Sequence, residues 1–257
     1  MPVELNSSPP ASTDTVIRVG PPPQAERRRR TGGIPGWALK VAAAVTGAIW
    51  SIFLVIHFYG NLKVFQGAEA FNNYAHWLKN AFYPLFPHEG VLWLMRLVLV
   101  PALIIHLVAV AIIWTRGRRA RGKFRARIKG FSAWSAWLMP ITGVLTLVFI
   151  VFHVLDLTLG TTPAASGSFM APTADASFAY ENLVASFQRP GAAVFYMLIM
   201  VLLGIHIAKG FSTMAADLGA MGKRLRATFA AVGGIFAALI LFGNAAIPAA
   251  VLLGVIS

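Results

Sequence analysis

The chain of 257 residues contains no cysteine. That absence excludes disulfide stapling, a thiol nucleophile and any metal site built on its own thiolates. An iron–sulfur cluster is open to it only where a partner supplies sulfur ligands. Charge is also scarce: 12% of residues are Asp, Glu, Lys or Arg, about half the ~25% usual in globular chains. Nine residues are acidic against 22 basic. Hydrophobic residues make up 57%, and mean hydropathy is +0.69. A disordered chain, a disulfide-stapled secreted domain and an ordinary soluble enzyme are thereby excluded.

What is abundant is long apolar sequence. A helix needs about 20 apolar residues to cross a bilayer, and five runs qualify: 37–58, 91–114, 134–157, 192–214 and 228–255. None carries a central Asp or Glu, and alternation at period two is absent. The expected fold is all-α: an integral membrane bundle of five transmembrane helices, not a barrel. Residues 1–35, rich in Pro, Ser, Thr and Arg, read as a disordered basic tail, and 36–257 as the membrane domain. The first apolar run is too long for the core of a cleaved signal, and no clear cleavage site follows it.

Basic residues sort by side. Arg18, Arg27, Arg28, Arg29, Arg30 and Lys40 precede the first span. Arg116, Arg118, Arg119, Arg121, Lys123, Arg125, Arg127 and Lys129 fill the second connection, and Lys209, Lys223, Arg224 and Arg226 flank the fourth. The other two connections hold only Lys63, Lys79 and Arg189. The positive-inside rule puts the N-terminus in the cytoplasm and the C-terminus outside. The net charge of +13 then reflects topology and contact with anionic membrane lipid, not nucleic acid. Residues 67–82 and 177–187 place aromatic and aliphatic side chains at helical spacing, and read as short interfacial helices or as a plain aromatic belt.

Four of the six histidines lie in spans: His57, His106, His153 and His206. An ionisable residue inside the membrane is costly and points to function. At 1.5 Å per residue, His57 and His153 fall roughly 30 Å from the inner entry of their spans. His106 and His206 fall about 22–24 Å from the outer entry of theirs. The histidines therefore form two pairs at two levels, roughly 15–20 Å apart. Facing imidazoles can fill both axial positions of a haem iron, leaving no open position for substrate, which suits electron transfer. His76 and His88, off the bundle's depth, read as surface residues, His76 with a quinone or proton role as its second reading.

Arg96 and Lys209 stand near the two levels. For each, contact with haem propionates competes with a plain boundary role, snorkelling in the case of Arg96. Glu69 and Asp156 read first as solvated loop carboxylates and second as groups passing protons to a quinone. The fifth span, rich in Gly and Ala with Asn244 its one strongly polar residue, reads as scaffold or subunit contact.

The run IHFYGNLKVFQGAEAFNNYAHWL (56–78) resembles the segment after the first helix in the cytochrome b membrane anchor of succinate:quinone oxidoreductases (succinate dehydrogenase and fumarate reductase). The similarity is to the single-chain, five-helix, two-haem type of Gram-positive bacteria. The segments IIHLVAV, VFHVLDLTLG and GIHIAKGFSTMAADLG resemble the family's remaining haem-ligand segments. The resemblance implies two haem b groups, His57 and His153 holding the outer one and His106 and His206 the inner. It implies flavoprotein and iron–sulfur subunits on the cytoplasmic face of a bacterial membrane, and menaquinone or another quinone as electron acceptor. Some relatives carry His or Arg near the start of helix one. Here Lys40, Ala42 and Ala43 stand there, so no proximal quinone or propionate contact is carried over to that place.

Three other readings stand beside this one. The chain is the cytochrome b of a different oxidoreductase, which the GAEAFNNYAHWL segment argues against. Or one histidine pair ligates a Rieske-type cluster with a partner's cysteines. Or it is a transporter, for which no inverted repeat or broken helix speaks. An additional small membrane subunit is compatible with all of them.

Overall fold

The computed structural model describes residues 33–121, 131–173 and 175–257, without the side chains of 121 and 131–133. Most of the expected tail, and Lys123, Arg125, Arg127 and Lys129 of the second connection, lie outside the described residues. Pro35–Ser257 forms one unit, divided from Met1–Ile34.

Among the described residues every regular element is helical. α1 (Gly36–Asn61) runs into a 3₁₀ turn, Leu62–Gln66, and α2 (Ala68–Lys79) follows. Then come α3 (Gly90–Arg121), α4 (Phe131–His153), α5 (Ala179–Phe187), α6 (Pro190–Asp217) and α7 (Lys223–Leu252). Five of these, α1, α3, α4, α6 and α7, are long and apolar enough to cross a membrane, which makes the chain a multi-pass membrane protein.

The helices differ from the apolar runs at their ends, for identifiable reasons. α3 continues to Arg121 and α7 starts at Lys223, because Arg and Lys are good helix formers and hydropathy marks membrane compatibility, not helix limits. α7 stops at Leu252, three residues short of the run. There Gly254 takes φ +69, and the amides of Val255 and Ile256 turn back onto the Ala250 carbonyl. The third span changes character at His153: α4 widens into a π-helical turn, Val154–Leu159, closed by Gly160 in the left-handed region.

α1 and α3 form one antiparallel hairpin, and α4 and α6 another. α1 also packs on α6, and α7 lies along α6 and touches α1. α3 and α4 share at most a marginal contact among the described residues. The best-buried core therefore lies between α6 and α7, around Leu203, Ile207, Phe236 and Ile240. Leu97, Val100 and Ile104 of α3 are exposed, the pattern of a helix in lipid. Gly243 of α7 admits the ring of Phe58, which a Cβ there would overlap. Beside it, the Asn61 amide donates to Asn244 Oδ1 at 2.9 Å, so the lone polar residue of the fifth span ties α7 to α1.

The two expected interfacial segments, α2 and α5, lie together across one end of the bundle. The Asn72 amide donates to the Glu181 carboxylate at 2.9 Å, and Asn72 Oδ1 accepts the Tyr180 N–H at 2.9 Å. This is the capped end. At the opposite, basic end, Lys40 near the start of α1 pairs with Asp217 at the end of α6, 3.3 Å apart. The hairpin geometry brings Arg116, Arg118, Arg119, Lys223, Arg224 and Arg226 to the same end.

Candidate functional site

α1 and α4 carry the same pattern, Thr-Gly, five residues, Phe, three residues, His: Thr46-Gly47, Phe53, His57, and Thr142-Gly143, Phe149, His153. The two copies are 96 residues apart, and their partners His106 and His206 are 100 apart. Each hairpin thus repeats the other in the same orientation. Hydropathy alone does not reveal this repeat, but the spacing of four identical residues does.

Near the capped end the rings of His57 and His153 face each other with centroids 5.7 Å apart, planes nearly perpendicular at 88°. Phe53 stacks on His57 at 5.3 Å, and Phe149 flanks His153 at 5.6 Å.

Toward the basic end stand His106 on α3 and His206 on α6. Each ring rests against the Thr-Gly step of its own hairpin. A Cβ on Gly47 would meet His106 Cε1 at 3.5 Å, and one on Gly143 would meet His206 Cε1 at 3.5 Å. The Thr-Gly steps precede His57 and His153 by ten or eleven residues, a separation between levels of roughly 15–16 Å along either helix.

Hydrogen bonding fixes which nitrogen each ring offers. The Thr46 hydroxyl donates to the Ala42 carbonyl at 2.7 Å, so its oxygen can only accept from His106. His106 Nδ1–H lies 3.1 Å from both Thr46 Oγ1 and the Ala43 carbonyl. Thr142 likewise spends its proton on the Leu138 or Met139 carbonyl, at 3.1 Å each, and accepts His206 Nδ1–H at 3.1 Å. Tyr196 donates its proton to Asp156 Oδ2 at 3.0 Å and accepts His153 Nδ1–H at 3.3 Å. In all three rings Nδ1 holds the proton and Nε2 keeps its lone pair, the tautomer a metal ligand needs.

Two further features fit a planar, partly polar cofactor between the helices. α3 and α4 each pack on other helices and share at most a marginal contact among the described residues. Trp50 Nε1 and Thr146 Oγ1, equivalent positions of the repeat, are buried without a hydrogen-bond partner among the described residues. An unmet buried polar group costs about 1–3 kcal/mol, which a polar ligand there would offset. No group of three or more His, Asp or Glu suited to a metal ion occurs among the described residues.

The remaining candidates fall as follows. Asp156 is not a solvated loop carboxylate: its side chain is 0% exposed and pairs with Arg189 Nη2 at 2.7 Å. Ser186 also donates to it. The first turn of α6 and the end of α5 cover it, which its place at a span's end does not announce. Arg189, Ser186 and Tyr196, like Thr46 and Thr142, were not among the expected site residues. Glu69 is exposed on the first turn of α2. His76 accepts from the Asn80 amide at 3.2 Å, and Asn80 Oδ1 accepts from His88 Nδ1 at 2.9 Å, so one Asn bridges the two non-span histidines. Arg96 pairs with Glu89 at 3.4 Å and lies 4.7 Å over the Trp93 ring. Lys209 is half-buried, and no acid among the described residues pairs with it. Of the residues at the start of α1, Lys40 is taken by Asp217, while the carbonyls of Ala42 and Ala43 serve Thr46 and His106.

No curated protein and no solved structure matches the chain. Residues 115–243, from the end of α3 into α7, match the family model described as succinate dehydrogenase/fumarate reductase transmembrane subunit. That segment contains His153 and His206, the second Thr-Gly step and the Asp156 cluster, and the first hairpin repeats its pattern. The chain belongs to the family of succinate dehydrogenase/fumarate reductase transmembrane subunits.

Proposed function

We propose that this chain is the cytochrome b anchor of a bacterial succinate dehydrogenase, carrying electrons from an iron–sulfur subunit to menaquinone or another quinone. His57 and His153 would hold one haem b near the capped end, and His106 and His206 a second near the basic end. Bound haem would supply one-electron exchange, with the four histidines as its protein ligands. The chain's own residues position the ligands: Thr46, Ala43, Thr142 and Tyr196 hold Nδ1 protons and turn Nε2 inward. Phe53 and Phe149 pack against the rings of the first pair and keep water from them.

The observation that carries this reading is the pairing of four intramembrane histidines at two levels, three with Nδ1 already occupied. Family membership supports flavoprotein and iron–sulfur partners. The positive-inside rule supports a cytoplasmic basic end, where those subunits would dock, and a capped end on the outer face of the bacterial plasma membrane. Haem quantified per chain in the purified complex tests the proposal. Two haems, one spectral component lost in both His57→Ala and His153→Ala and the other in both His106→Ala and His206→Ala, are expected. One haem with an additional iron–sulfur paramagnetic signal would instead indicate a cluster at one level, and a colourless protein would refute electron transfer.

A further inference from the structure

The two hairpins repeat each other closely at the histidines and then part. Following the 96-residue offset, the position equivalent to Asp156 is Gly60. Following the 100-residue offset, the position equivalent to Tyr196 is Arg96. Gly60 leaves room for the Tyr74 ring, 2.7 Å from where a Cβ would stand. Arg96 is engaged by Glu89. Among the described residues, it is the second hairpin that places a carboxylate behind its capped-end histidine.

That carboxylate is built in. Asp156 follows His153 within the π-helical turn, a feature that recurs at functional sites. Its Oδ1 accepts from Arg189 Nη2 at 2.7 Å, and its Oδ2 from both Ser186 and Tyr196. Arg189 is fixed in turn: Nη1 donates to the Ala164 carbonyl at 2.8 Å and Nε to the Ser186 carbonyl at 3.2 Å. Tyr196 is 5% exposed and ringed by Phe149, Phe152 and Phe187. A charged acceptor thus reaches His153 through one phenol, in surroundings where such bonds are strong. The acceptors behind His106 and His206 are a neutral carbonyl and neutral hydroxyls.

We propose that Asp156, acting through Tyr196, is a positioning residue for His153 that enriches its imidazole in electron density and lowers the reduction potential of the iron held at the His57/His153 level. This rests on the haem assignment above. A hydrogen bond from the second nitrogen toward a carboxylate raises the basicity of a ligating histidine. A more basic axial ligand favours the ferric state, and second-shell hydrogen bonding is one of the protein's means of setting haem potential. Ser186 works against the effect, since its donation to Oδ2 draws charge from the oxygen Tyr196 uses.

The test is a potentiometric titration of the purified complex, following each haem optically and by its ferric paramagnetic signal. Tyr196→Phe and Asp156→Asn should raise the midpoint potential of the component that His57→Ala abolishes. Ser186→Ala should lower it. The other haem should not move, and two haems per chain should remain. The opposite signs matter, because a merely structural loosening would not shift the potential in both directions. Tyr196→Phe and Ser186→Ala leave the Asp156–Arg189 pair intact, so they decide the matter even where Asp156→Asn fails to assemble. Unmoved potentials, shifts of one sign in both variants, or equal shifts in both haems would overturn the tuning role while leaving the haem assignment standing. Lack of a haem at that level in the unaltered protein would overturn the assignment itself.

Discussion

Thr46 on α1 and Thr142 on α4 each accept a histidine Nδ1 proton at 3.1 Å, from His106 and His206 respectively. The two are not equally indispensable. His106 has a second acceptor, the Ala43 carbonyl at 3.1 Å, whereas among the described residues Thr142 is the one acceptor for His206.

Replacing these threonines should separate them. Thr142→Val should weaken cofactor retention at the basic-end level by roughly 10-fold, the lower bound for losing an outer-shell partner of a ligand. Thr46→Val should cost only about 0.5–1 kcal/mol, since the carbonyl remains. Haem loss to an apo-protein acceptor in detergent would measure both. Equal losses would mean the Ala43 carbonyl does not serve His106.

Arg189 stands over a carboxylate whose side chain is 0% exposed. Arg189→Gln leaves Asp156 buried and unpaired, a change worth about 3–5 kcal/mol for fully buried pairs. With Arg189 one-third exposed, roughly 2–3 kcal/mol is expected here. The double variant Arg189→Gln with Asp156→Asn should recover part of the loss by removing the stranded charge. Thermal unfolding of the complex in detergent reads the difference, and a double variant no more stable than the single would show that the charge is not what matters.

Gly60→Ala forces a methyl group onto the Tyr74 ring, for about 1–3 kcal/mol of overpacking. Tyr74→Leu in the same chain should relieve most of it. Burial, and then Tyr59 alongside, raise the Tyr74 phenol above its ordinary value of 10.0, so the ring is neutral at working pH and the penalty should not change between pH 6 and pH 8, taken as ~2 units below titration. A double variant as unstable as Gly60→Ala would place the strain elsewhere.

Orientation is testable at the C-terminus. A reporter active only after export, fused after Ser257, should be active, and one fused after Arg118 should not. Cytoplasmic activity at Ser257 would reverse the sidedness drawn from charge.

The bundle and its histidines were legible in the sequence because both rest on local quantities. Apolar run length gives the spans, and 1.5 Å per residue gives depth, so His57 and His153 could be paired without coordinates. Asp156 was not legible. It stands where a span ends, as a solvated acid would, and its burial is decided by Ser186 and Arg189, thirty residues and more along the chain. The short helix α5 was visible as a pattern, but not that it closes over a carboxylate. Thr46 and Thr142 were hidden for another reason: hydroxyls in apolar helices usually return to their own backbone, as both do, and nothing in one chain's composition shows that the same oxygen also receives an imidazole.

The repeat has a consequence for how the molecule is divided. Each hairpin contributes one imidazole to each level, so neither α1 with α3 nor α4 with α6 contains a complete pair. Cut between α3 and α4, the chain would yield two half-proteins that each carry one histidine at each of the two levels. The haem proposed for each pair would therefore also join the two halves, which already pack on each other through α1 and α6.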